Sequence, residues 1–122
     1  MSDYKQILEA VKDLDRWPWE IGDALLVECG PPGKKDGYAL LWEAAKYLFS
    51  EGHEYDVATL SKYRSVAYWF EPSKRRSVAW AWHEAARSPE FLNAVIDGWP
   101  KGKQITALKI KELRCYCERL RQ

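Results

Sequence analysis

The side chains best suited to chemistry in this sequence are few and scattered. His53 and His83 are the two histidines, and neither stands at ligand spacing from another His or from a Cys. Cys115-x-Cys117 has no partner pair and Cys29 lies far from it, so neither a tetrahedral metal site nor a disulfide framework is expected. Gly30-Pro31-Pro32-Gly33-Lys34-Lys35 lacks the spacing of a phosphate loop, and its prolines remove backbone donors that an anion cradle needs. Carboxylates are plentiful, but nothing pairs two of them for general acid and base work. The expectation is a protein with no catalytic residue, no metal and no cofactor, and not an enzyme.

What remains are hydroxyls and cations at helical spacing. Between residues 57 and 70, Val57, Leu60, Tyr63, Ala67 and Phe70 make an apolar stripe, which leaves Ala58, Thr59, Ser61, Lys62 and Ser65 on the other side, with Arg64 near the border. Small residues permit close approach to base edges, hydroxyls bond bases or phosphates, and Lys62 and Arg64 supply charge. Just beyond, Lys74-Arg75-Arg76 is a compact basic cluster suited to phosphates flanking a groove. A solvated helical hairpin would show the same pattern, so the surrounding elements matter. Trp69, Trp80, Trp82 and Trp99 could stack on bases, but their helical spacing assigns them to the core.

Those elements all read with a helical period. Tyr4, Ile7, Leu8, Val11 and Leu14 mark a helix over about 2–16, and Pro18 opens a second that runs to about Cys29. Gly30 to Gly37 is a loop. The next helix spans 38–50 with Leu41, Ala44, Ala45, Leu48 and Phe49 inward and Gly52 as its stop, and Asp56 caps its successor. A further helix is expected over 73–87, with Val78, Trp82 and Ala85 inward. Ser88-Pro89-Glu90 starts a short one through Ile96. The last, basic helix spans about 104–121, its stripe formed by Leu108, Ile110, Leu113, Tyr116, Cys117 and Leu120. The expected fold is all-α: one compact multi-helix domain over 1–122, with a helix-turn-helix at about 38–70.

Charge is balanced overall at +1 but graded along the chain. Residues 1–37 carry five Lys/Arg against eight Asp/Glu, and residues 101–122 carry seven against two. A basic end can answer phosphates where the mean charge does not. No window approaches a membrane-spanning run, and the first residues lack an apolar leader, so a cytoplasmic protein without membrane contact is expected.

The run from Tyr55 to Phe70, with Thr59-Leu60, Tyr63, Val66-Ala67 and Phe70, resembles the recognition-helix segment of small helix-turn-helix proteins of phages and plasmids. The order of the later segments, Arg75 to Ala86, then Pro89 to Leu92, then Trp99 to Leu113, is distantly similar to ParB/KorB-type domains. The turn Ser50-Glu51-Gly52-His53-Glu54 departs from them in being longer and more acidic. The resemblance implies sequence-specific binding of double-stranded DNA by Thr59, Ser61, Lys62, Arg64, Ser65, Lys74, Arg75 and Arg76. It implies a regulator, or a replication or partition accessory, of a mobile element; the apolar stripe of the last helix would either pair two copies as a homodimer that matches two half-sites or close the core of a monomer. The near-neutral charge suits a different reading, a small phage protein that binds and modulates a host protein with the helical fold as scaffold.

Overall fold

The computed structural model describes Ile7, residues 17–33 and residues 35–121. Those residues are all-α, forming six α-helices and one 3-10 turn with no strand. The helix expected over 2–16 lies outside them apart from Ile7, which is helical and fully buried. The chain divides into two compact units, Met1–Tyr68 and Trp69–Gln122. No helix among the described residues is long and apolar enough to cross a membrane.

The first unit holds α1 (Trp17–Cys29), α2 (Lys35–Ser50) and α3 (Val57–Trp69, whose last residue belongs to the second unit). Pro18 suits the first turn of α1, where a backbone N–H has no intrahelical partner to lose. The helix stops where Gly30 turns left-handed at φ 76°. Gly37, expected in the loop, instead lies in the first turn of α2, and a Cβ there would press on the Cys29 carbonyl oxygen. α1 packs on α2, and Ile21, Leu25, Leu41, Leu48, Leu60 and Val66 are fully buried.

α2 ends in a Schellman motif: the His53 N–H donates to the Leu48 carbonyl and the Gly52 N–H to that of Phe49, with Gly52 at φ 88°. Phe49 departs from the expected stripe and is 68% exposed. Leu41, Ala44 and Leu48 fix the inner face, and one residue past Leu48 is a rotation of about 100° away from it. α3 starts as expected, for the Thr59 N–H donates to Asp56 Oδ1 at 2.7 Å. That bond holds the Asp56 carboxyl below its ordinary range.

In the second unit the helix expected over 73–87 is replaced by a 3-10 turn, Pro72–Lys74, an irregular stretch, and a short α4 (Trp80–Ala86). The Arg75 N–H closes the turn on the Pro72 carbonyl, and Arg75 then goes extended at ψ 130°, which ends helical propagation. α5 (Pro89–Gly98) and α6 (Ala107–Leu120) carry the hydroxyl caps their sequences announce: Ser88 Oγ accepts from the Phe91 N–H and Thr106 Oγ1 from the Lys109 N–H. α4 packs on α5 and α6, and α5 on α6.

The α6 stripe differs from expectation. Ile110 is fully buried and Leu113 and Cys117 half-buried, while Leu108, Tyr116 and Leu120 are exposed. Arg114 is buried in their stead. Its Nε donates to the Ala85 carbonyl and its Nη1 to Glu118 Oε1, so the charge enters the interior with two of its donors engaged.

Candidate nucleic-acid interface

α3 presents one polar side. Ala58 and Lys62 are exposed and Thr59, Ser61 and Ser65 half-exposed, whereas Val57, Leu60, Tyr63, Val66 and Ala67 are buried. Residues 58, 61, 62 and 65 recur at three and four, so they form one strip along the helix. The helix contains no carboxylate, and the strip's short side chains let a partner's surface come close to the backbone. Glu54 and Asp56 flank its N-terminus, lining a recess with Phe49, Tyr55 and Thr59. Their charge disfavours phosphate there and leaves Lys62 as the cationic point of the strip.

Arg64 is not part of that strip. Spacing puts it near the border, but the structure leaves it only 3% exposed, with Nε and Nη1 buried and without a hydrogen-bond partner. Nη1 stands 3.0 Å from the position a Cβ on Gly37 would take. Nor does Cys29 balance the charge, since burial pushes that thiol up to about 11 and keeps it neutral. An unpaired guanidinium in the interior costs the fold more than an apolar side chain of similar volume. Arg64→Met is therefore expected to stabilise the first unit by about 1–3 kcal/mol. Urea denaturation followed by hydrogen exchange in α1 to α3 checks this, and Arg64→Ala should gain less because it leaves a cavity.

Lys74, Arg75 and Arg76 lie in the second unit and are not equivalent. Lys74 is exposed, with no bond tying its side chain among the described residues. Arg75 donates from Nε to the Phe70 carbonyl at 2.8 Å. The Arg76 fork is engaged with α5, Nη1 on Asn93 Oδ1 at 2.8 Å and Nη2 3.7 Å from Asp97. Arg75 and Arg76 thus hold the irregular stretch in place, a role the sequence pattern did not reveal.

His83, off the expected inner positions, is fully buried. Its Nε2 accepts from the Arg76 N–H at 3.1 Å, so the ring proton sits on Nδ1, 3.1 Å from the Ala79 carbonyl. Phe70 meets the ring edge-on at 4.9 Å. Of the tryptophans assigned to the core, Trp80, Trp82 and Trp99 are half-buried and Trp69 is 36% exposed. No group of His, Cys, Asp and Glu among the described residues could hold a metal ion.

No protein-family model matches the chain, and neither the curated proteins nor the solved structures provide a match.

Proposed function

We propose that this chain binds double-stranded DNA in a sequence-dependent way, with α2 and α3 as a helix-turn-helix and α3 in the major groove, acting as a regulator or a replication or partition accessory of a mobile element. The observation that carries the reading is the acid-free strip of Ala58, Ser61, Lys62 and Ser65 on a capped, half-buried helix. Hydroxyls and a lysine on short stems reach base edges, and the absence of carboxylates spares repulsion from phosphates. The connection at 51–56 is longer than the three or four residues of a tight helix-turn-helix, and its Schellman stop gives it a defined path. Leu108, Tyr116 and Leu120, exposed at four-residue multiples along α6, offer a ridge on which two copies would pair to match two half-sites. Such a protein acts in the cytoplasm.

The cations divide by role, so their substitutions should fail differently. Replacing Ser61, Lys62 or Ser65 by Ala should cost about 1–3 kcal/mol on a preferred site and little on a scrambled one. Lys74→Ala should weaken both duplexes alike and flatten the salt dependence by about one unit of slope. Fluorescence anisotropy at several salt concentrations separates the two outcomes, and equal effects of both groups on both duplexes would remove the division.

A second reading, binding to a host protein, draws on α2. Tyr38 and Trp42 are each 51% exposed and sit edge to face, with ring centroids 6.4 Å apart, and Phe49 shares the outward side. Exposed aromatic stripes are what partner proteins cover.

A further inference from the structure

The second unit contains a cationic recess that the DNA-reading strip does not use. Arg87, Arg114 and Arg121 line it together with Ala86, Ser88, Phe91, Cys117 and Glu118, around a volume of about 240 Å³. Among the described residues the lining holds three arginines and one acidic residue, Glu118, whose carboxylate is already bonded to Arg114 Nη1 at 2.9 Å. The wall is built, because Arg114 is 7% exposed and anchored by its Nε on the Ala85 carbonyl at 2.8 Å. Its Nη2 has no acceptor among the described residues.

Arg87 adds a second, independent sign. It ends α4 in the left-handed region at φ 64°, the one non-glycine among the described residues to do so, with its N–H on the His83 carbonyl. Glycine is the residue that this position ordinarily takes, since a Cβ is strained there. Arginine at such a site gives up stability, and this one is exposed and lines the recess.

We propose that this recess binds a phosphate group. Guanidinium forks match the geometry of phosphate oxygens, and among the described lining residues their charge exceeds that of the already paired Glu118 carboxylate. The volume is below that of pockets for drug-sized ligands, which fits a single tetrahedral anion with little attached to it. Exposed Arg87 and Arg121 close on the anion from the solvent side, while Arg114 meets it from the wall. The phosphate is either free or part of a nucleic-acid backbone, and the site stands whether or not α3 reads sequence.

The test uses inorganic phosphate and the full chain. Phosphate should raise the melting temperature, and shift backbone amide resonances of Arg87, Ser88 and Arg121, beyond what sodium chloride does at equal ionic strength. Arg87→Gly relieves the left-handed strain, so its melting temperature without phosphate should equal or exceed that of wild type while its phosphate affinity falls about tenfold or more. Arg121→Gln should lose affinity with an unchanged fold. If these variants also weaken binding to duplex DNA, the bound group is a backbone phosphate; if duplex binding is unaffected, it is free phosphate. The proposal is overturned if phosphate acts no differently from chloride, or if Arg87→Gly and Arg121→Gln respond to phosphate as wild type does.

Discussion

Lowering the pH from about 7 to about 5 should destabilise the second unit, at a limiting slope of about 1.4 kcal/mol per pH unit for one proton. Burial of His83 lowers its pKa below the ordinary 6.5, and the nearby Arg75 charge acts in the same direction, while the bonds to the Ala79 and Trp80 backbone oppose them. The unfolded chain therefore takes up a proton at pH values where the folded chain does not. Stability is complete above about 6.5 and is lost as the pH falls through the window between the two pKa values. The bond from the Arg76 N–H to Nε2, which a protonated ring cannot accept, also favours the neutral ring. Hydrogen exchange of amides in α4 against pH reports it. His83→Gln should abolish the slope, and a slope that persists in that variant would place its origin elsewhere.

Gly22→Ala should lower the stability of the first unit by about 2–3 kcal/mol, despite alanine's helix propensity advantage of about 1 kcal/mol. The added Cβ would strike the Tyr63 carbonyl oxygen and come within 2.8 Å of Ala67 Cβ. Neither neighbour is the free end of a flexible side chain, so α1 and α3 must move apart. Tyr63 and Ala67 belong to the inner side of α3, and that shift would also misplace the strip on its outer side. Chemical denaturation gives the magnitude. A stability equal to or above wild type would show that the two helices yield at no cost.

The parts of this structure that were legible in the sequence are the local ones. Asp56, Ser88 and Thr106 each accept from a backbone N–H three residues on, a bond that depends on nothing beyond its own turn. The buried side of α3 is equally plain from spacing. Arg64, Arg114 and His83 were not legible, because periodicity sorts residues by polarity and these polar groups are inside. Arg114 and His83 are accommodated by particular carbonyls and amides, Ala85 for one and Ala79 and Arg76 for the other. Arg75 and Arg76 read as helical in sequence, and the structure differs for a related reason. Pro72 allows a 3-10 turn, and contacts of Arg76 with Asn93 and Asp97, distant in sequence, hold the irregular stretch beyond it.

The strip on α3 is the centre of the account, and direct binding of the wild-type chain to DNA tests it most simply. A duplex recovered by selection from a randomised pool should bind, in fluorescence anisotropy, about a thousandfold or more tighter than a scrambled duplex at the same salt concentration. Affinity for both should fall as salt rises. Failure to bind either duplex at low salt, or equal affinity for the two, would contradict a DNA-reading role for Ser61, Lys62 and Ser65.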